Sequence, residues 1–343
     1  MTTSHRDAAA GEGRAAWDGA PAWDRAVALV EEAEEICLAC HVFPDGDALG
    51  SMLAFAQAMH VLGKRCVASF GDPFTVPTML RFLPGRERLV EPAGFPVAPD
   101  LMVTFDAASV ERLGALAPHA EKARELIVVD HHASNTGYGT VHLVRPGAAA
   151  TAVLAETLIS RLGVELTRDI ALGLYAGLAS DTGSFKYAAT TPEVHALAGR
   201  LLETGVRPDM VGRELWDRVP FGYLQVLAGA VGRARLESAA AGGLGLVWTT
   251  VSRADRAVRD VPYDLLEGVI DVVRRTDEAE VAVVCKQTDD NGWYVSTRSK
   301  GRVDVGLACT RLGGGGHRLA AAFAIGDDVE AGMDRLRELL DAQ

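Results

Sequence analysis

Apolar residues between Trp23 and Glu35 recur at helical spacing, and the run ICLACHV (36–42) that follows has the length of a buried strand. A helix is expected from near Ala48 through MLAFAQAMHVLG, with Gly63 as its stop. KRCVASF (64–70), LMVTFDA (101–107) and ELIVVDHH (125–132) are further short apolar runs, each ending in polar residues. Strands alternating with helices in this way predict βαβ units, an α/β fold and a doubly wound, mainly parallel sheet. Helical patterns continue near 149–162, 167–180 and 192–204. The stretch Gly205–Phe221, with two prolines and mixed charge, then reads as a linker. Beyond it the pattern restarts with LGLVWTTV (244–251) as a strand, DLLEGVIDVVRR as a helix, and EVAVVCKQ and WYVSTRSK as strands. A helix near 303–312, the run GGGGH, a strand AAAFAI and a terminal helix complete it. Asp289-Asp290-Asn291-Gly292 between two strand-like runs predicts a hairpin turn. The expected division is a tail at 1–20, a first domain at 21–204, a linker at 205–225 and a smaller α/β domain at 226–343, richer in antiparallel pairing.

In open α/β sheets, ligands bind outside the carboxyl ends of the strands, so the polar residues ending these runs are the candidates for chemistry. The segment HVFPDGDALGS (41–51) carries His41, Asp45 and Asp47 within seven residues, after a strand and before a helix. The plainer reading of either aspartate alone is a helix cap or a turn residue. Oxygen ligands with imidazole together suit manganese or magnesium better than a thiolate-preferring metal. Asp106 ends LMVTFD, where it could also cap the next helix. Asp130-His131-His132 ends IVVDHH, and because neighbours on an extended chain point to opposite faces, only some of the three are expected in one cavity. Asp181 ends an apolar helical run, where a carboxylate is disfavoured by the helix dipole unless something positive compensates it. Converging strand ends would gather three or four carboxylates and two histidines. Such a cluster repels itself without cations, and two divalent ions bridged by one carboxylate would resolve it while activating a water for attack on phosphorus.

Composition narrows the partners. A formal charge of −12 argues against tracking long duplex nucleic acid, which rests on neutralising many phosphates. It leaves room for a small phosphorylated substrate in a local pocket. Five cysteines without a secretory signal fit a reducing cytoplasm. The lone pair Cys37 and Cys40 lies inside an apolar run and reads as core rather than as a metal or redox motif. Residues 1–20, rich in Ala, Gly and charge, read as a disordered tail. No apolar stretch reaches the length needed to span a bilayer. A homodimer is left open.

HVFPDGDALGS, VTFDAAS (103–109), VVDHHASN (128–135) and ASDTGSF (179–185) resemble the four motifs of the DHH phosphoesterase superfamily. WYVSTRSK and GGGGHRLAAAF (313–323) resemble the DHHA1 domain that follows it, and the compact size is similar to the oligoribonuclease/PAP phosphatase (NrnA-type) branch. The resemblance implies a DHH domain and a DHHA1 domain with the active site in the cleft between them. It also implies two divalent ions, manganese by preference. His41, Asp45 and Asp106 would hold one, and Asp47, Asp106, His131 and Asp181 the other. His132 would lie near the scissile phosphate as ligand or leaving-group acid, with Asp130 orienting its neighbours. Arg298, Ser299 and Lys300, together with Gly314, Gly315, Gly316 and His317, would grip the substrate. The family commonly shows Ala-Ala-Gly after this histidine, whereas Ala320, Ala321 and Ala322 stand here, which bears on substrate preference.

Three functions follow as expectations. The first is hydrolysis of short oligoribonucleotides to 5′-mononucleotides together with dephosphorylation of 3′-phosphoadenosine 5′-phosphate (PAP). The second is a cyclic-di-AMP or linear dinucleotide phosphodiesterase. The third, of another class, is a non-catalytic nucleotide sensor, disfavoured because a sensor has no need of the whole charge cluster.

Overall fold

The computed structural model describes residues 19–343. Most of the expected tail, residues 1–18, therefore lies outside the described residues. The chain divides into two units between Asp217 and Arg218.

In the first unit, helix α1 (Ala20–Glu32) leads into β1 (Glu35–Cys40), α2 (Gly46–Val61) and β2 (Arg65–Phe70). A long connection with short 3-10 turns reaches β3 (Leu101–Phe105). The short α3 (Ala117–Lys122), then β4 (Glu125–Asp130) and β5 (Val141–Val144), complete a five-stranded sheet of order β2-β1-β3-β4-β5, parallel throughout. Helices α4 (Thr151–Arg161), α5 (Arg168–Asp181), α6 (Pro192–Glu203) and α7 (Pro208–Trp216) follow. The strand β5 was not expected. Its four residues are too short for the alternation to register as a strand. The stretch read as a linker contains α7, whose Val211 and Leu215 are buried in the core of this unit.

Register determines what emerges at the carboxyl edge. Cys40 pairs with Phe105, and Phe105 with Val129, so the residues after β1, β3 and β4 leave the sheet side by side. Above that edge runs α2, apolar on nearly every side and buried from Gly46 through Ala56, as a central helix should be. It packs on α5 at glycines: a Cβ on Gly173 would lie 2.6 Å from the carbonyl oxygen of Gly50. This close approach brings the start of α2 and the end of α5 to the same place. Cys37 and Cys40 are buried and reduced, in keeping with a core role, and burial, helped by the charge of Glu35, pushes the Cys37 thiol up to about 12.

The second unit holds α8 (Phe221–Gly232), β6 (Arg235–Glu237), β7 (Leu246–Val251), α9 (Arg253–Ala257), α10 (Val269–Val273), β8 (Val281–Gln287), β9 (Trp293–Ser299), α11 (Val305–Arg311), β10 (Gly315–His317), β11 (Ala320–Ile325) and α12 (Val329–Asp341). Its six-stranded sheet has the order β10-β11-β9-β8-β7-β6, parallel only between β7 and β8. The helix expected over DLLEGVIDVVRR is broken, with a 3-10 stretch Tyr263–Gly268 before α10. The β8–β9 hairpin turns as expected, with Asn291 at φ 70° and the amide of Thr288 donating to Gly292 O at 2.9 Å. Among the described residues no helix is long and apolar enough to cross a membrane.

Candidate metal centre

The loop after β1 reverses sharply at Phe43 (φ 53°), so that His41 and Asp45 turn back towards the sheet edge. Asp45 caps the helix, the plainer of the two roles weighed from the sequence, and keeps its second oxygen turned towards His41. Its Oδ1 caps α2 by accepting from the amides of Asp47 and Ala48 at 3.0 Å, while its Oδ2 lies 3.9 Å from His41 Nε2. Asp47, one turn in, is fully buried. Its oxygens accept from the amides of Thr151 at 2.5 Å and Ala152 at 2.9 Å, and from Ser51 Oγ at 3.1 Å. A carboxylate at a helix N-terminus meets unsatisfied amides there, and here those are the first amides of α4.

Asp106 follows β3 with φ 57°, a conformation that favours glycine, and does not cap a helix. It stands among three imidazoles: His41 Nε2 at 3.5 Å from Oδ2, with His131 Nε2 at 3.5 Å and His132 Nδ1 at 3.6 Å from Oδ1. Thr151 Oγ1 donates to Oδ1 at 2.9 Å. β4 ends at Asp130 and the chain turns there, so the strict alternation of an extended chain does not carry through His131 and His132. Both imidazoles thus reach Asp106, with ring centroids 5.0 Å apart. Asp130 is fully buried, its Oδ1 taken by His132 Nδ1 at 2.8 Å and its Oδ2 by Asn135 Nδ2 at 2.6 Å. Asp181, the last residue of α5, places Oδ2 at 3.1 Å from His131 Nε2.

The electrostatics call for positive charge. Burial, with the charges of Asp106 and Asp181, holds the Asp47 carboxyl well above its usual range. Burial, with Asp45 and Asp106 adding to it, raises Asp181 to about 6 against the pull of His131. Asp106 goes the other way: burial opposes its charge, but the bond from His41 and the surrounding imidazoles hold it ionised below the usual range. Burial likewise opposes a charged His131, yet the bond to Asp181 and the nearby carboxylates raise it well above the ordinary histidine value. His41 shifts upward in the same sense through Asp106 and Asp45.

The donor set fits divalent cations. His41 and His131 turn Nδ1 to backbone carbonyls, Val42 O at 2.7 Å and Ala148 O at 3.1 Å. A carbonyl only accepts, so Nδ1 carries a proton in both rings and Nε2 faces the carboxylates; with an ion bound there, the Nε2 lone pair would be the ligand atom, the usual posture of a ligating histidine. Within the first unit, two groups that centre on Asp106 have ligand atoms within 4.8 Å of one another: His41, Asp45 and Asp106, and Asp47, Asp106 and His131. Asp106 is common to both. Asp106, Asp130 and His132 form a third such group, but both oxygens of Asp130 already accept hydrogen bonds. Thr151, Ser51 and Asn135 hold the carboxylates from behind and were not singled out from the sequence. Thr151 had one legible signal, a small polar residue opening a helix.

In the second unit, Arg298 on β9 lies opposite Ala320, and Ala320 opposite His317. Directly opposed residues share a face, so Arg298 and His317 lie on one face with Ala320 between them. Ser296 and Ala322 lie in the adjacent row of that face. Lys286, unremarked in the sequence, is fully buried nearby, paired with Glu267, 2.8 Å from Ser296 Oγ and over the ring of Tyr294. Ser299 and Lys300 are engaged locally: Ser299 Oγ donates to Glu280 at 2.9 Å, and Lys300 Nζ donates to the carbonyl of Thr276 at 2.5 Å. Gly314 and Gly316 press on β11, where a Cβ on Gly316 would lie 2.6 Å from Ala320 O, whereas Gly315 faces open space.

The sequence of residues 35–178 matches the model of the DHH family N-terminal domain, and residues 256–343 match that of the DHHA1 domain. Over 320 residues, 92% of this chain and 92% of the relative, it is 35% identical to the bifunctional oligoribonuclease and PAP phosphatase NrnA of Thermus thermophilus. It is 24% identical to the cyclic-di-AMP phosphodiesterase GdpP of Bacillus subtilis, across 91% of this chain but 48% of that protein. An exopolyphosphatase-related protein from Bacteroides fragilis superposes with a TM-score of 0.84, covering 94% of this chain and 96% of that one; at 19% identity the likeness is one of fold.

Proposed function

The chain belongs to the DHH-family phosphoesterases, a DHH domain followed by a DHHA1 domain, and from that premise we propose that it hydrolyses short oligoribonucleotides to 5′-mononucleotides and removes the 3′-phosphate of PAP. The observation that carries the reading is the pair of ligand groups sharing Asp106. In this reading His41, Asp45 and Asp106 hold one divalent ion and Asp47, Asp106, His131 and Asp181 the other, manganese in both. Bound there, such ions supply Lewis-acid polarisation of the phosphoryl oxygens and activation of water.

The chain's own residues do the rest. Thr151 and the first amides of α4 fix Asp106 and Asp47, so that ligand geometry is set before substrate arrives. His132 receives its orientation from Asp130, itself clamped by Asn135. With Nδ1 donating to Asp130, Nε2 on the other side of the ring is the atom that can give a proton to the leaving oxygen. Burial works against a charged His132, but Asp130 and Asp106 raise its pKa, which favours the acid form such a role needs. Arg298, Gly315 and His317 are the substrate contacts in this reading, and Ser299 and Lys300 support the strand end that carries Arg298.

The test incubates manganese-loaded protein with pApA, PAP and a long single strand. Turnover of the long strand equal to or better than that of pApA would overturn the reading. Similarity to a cyclic-di-AMP phosphodiesterase supports a second substrate, and cyclic-di-AMP belongs in the same panel. Asp47→Ala should abolish hydrolysis of all of them.

A further inference from the structure

Two residues beside His41 have no part in the arrangement so far. Arg112 places Nη2 at 3.4 Å from His41 Nδ1, the nitrogen on the side of the ring away from the carboxylates. Its side chain is exposed and forms no ion pair among the described residues. Its backbone carbonyl accepts from the amide of Val42 at 2.9 Å, which ties its segment to the loop after β1. The next residue of that loop is Phe43, whose side chain is 55% exposed although its backbone holds the left-handed conformation that bulky residues avoid. The reversal at Phe43 turns His41 and Asp45 inward and sends its own ring outward.

An exposed guanidinium held beside His41 without a carboxylate partner leaves its donors open to an anion. The geometry points to a nucleotide-recognition rim in which Arg112 binds the non-scissile phosphate of the substrate and Phe43 stacks on its base. This rests on the reading of the site as a phosphoesterase for short nucleotides. Because Arg112 lies beyond His41 as seen from Asp106, it reaches a phosphate next to the scissile one rather than the scissile one itself. In both pApA and PAP that neighbour is the 5′-phosphate. A guanidinium fork matches phosphate geometry, and an aromatic face accepts any base.

The experiment compares pApA with ApA, which lacks the 5′-phosphate, in manganese-loaded wild type, Arg112→Ala and Phe43→Ala. Arg112→Ala should lower kcat/KM for pApA by about 10- to 100-fold, the scale of a charged hydrogen bond, and leave ApA unchanged. Phe43→Ala should weaken both substrates by about 5- to 100-fold, and Phe43→Tyr should restore them. Manganese titrations of all variants should match wild type, showing that the ligand set is intact. An equal loss on both substrates in Arg112→Ala, or no loss on pApA, would overturn the phosphate assignment, and an unchanged Phe43→Ala would overturn the stacking. If wild type turns over neither substrate, the phosphoesterase reading fails by itself. Calorimetric binding of the same two ligands then still decides the rim, which predicts tighter pApA binding that is lost with Arg112.

Discussion

Replacing Gly177 by alanine tests whether helix packing sets the metal centre. An alanine in mid-helix ordinarily stabilises by about 0.5–1 kcal/mol over glycine. At Gly177 in α5, however, the added Cβ would lie 2.8 Å from Asp47 Oδ1, 3.1 Å from Asp47 Cα and 3.2 Å from Ala152 Cβ. Asp47 cannot swing aside without giving up its bonds to Thr151, Ala152 and Ser51. Restoring ordinary contact needs a shift of about 0.6 Å. Overpacking of this kind costs about 1–3 kcal/mol, so the net loss should be about 1–2 kcal/mol. For a unit of this size that is a fall of about 2–8 °C in melting temperature. A misplacement of about 1 Å at a reacting centre costs about 100-fold, so a shift near half that should lower kcat/KM about 10-fold. Gly199→Ala, in α6 with nothing near its Cβ, is the control and should melt slightly higher with full activity. Thermal melts and steady-state kinetics on the two variants side by side make the comparison. If Gly177→Ala behaves like Gly199→Ala, the contact with Asp47 does not constrain the site.

Thr151→Val keeps shape and backbone but removes the hydroxyl that donates to Asp106; metal affinity should fall about 10- to 100-fold, and an unchanged metal titration would contradict the role. Asn135→Ala frees Oδ2 of Asp130 and should reduce kcat with little change in KM, whereas a change confined to KM would place Asn135 in substrate binding instead. Glu237 accepts from Arg337 Nε and Nη2 at 2.8 Å and from Trp248 Nε1 at 2.7 Å. Burial raises its pKa, but these bonds outweigh burial and the folded value lies below 4.5. Its contribution to stability is therefore complete above the unfolded pKa and is lost as pH falls through the lower folded value. Acid melts of Glu237→Gln should start less stable near neutrality and show a shallower loss below about pH 4.5; parallel curves for the two proteins would refute the linkage.

Much of the first unit was legible because its strands are short apolar runs with polar ends, and the parallel sheet follows from their alternation with helices. The types of the candidate ligands, His41, Asp45, Asp47, Asp106, His131 and Asp181, stood in the sequence as misfits at the ends of apolar elements. Convergence at the carboxyl edge was expected from the parallel sheet; its geometry was not in the linear pattern. Asp106 meets both ligand groups because the register sets Cys40, Phe105 and Val129 level, and because a left-handed turn after β3 aims one carboxylate among three imidazoles. His131 and His132 share a side because β4 stops at Asp130, two residues short of the end of the run ELIVVDHH. Thr151, Asn135, Gly177, Arg112 and Phe43 are ordinary residues in the linear pattern. Thr151, Gly177 and Arg112 act through contacts between segments far apart in the chain, and Asn135 and Phe43 through turns whose geometry only the folded structure sets.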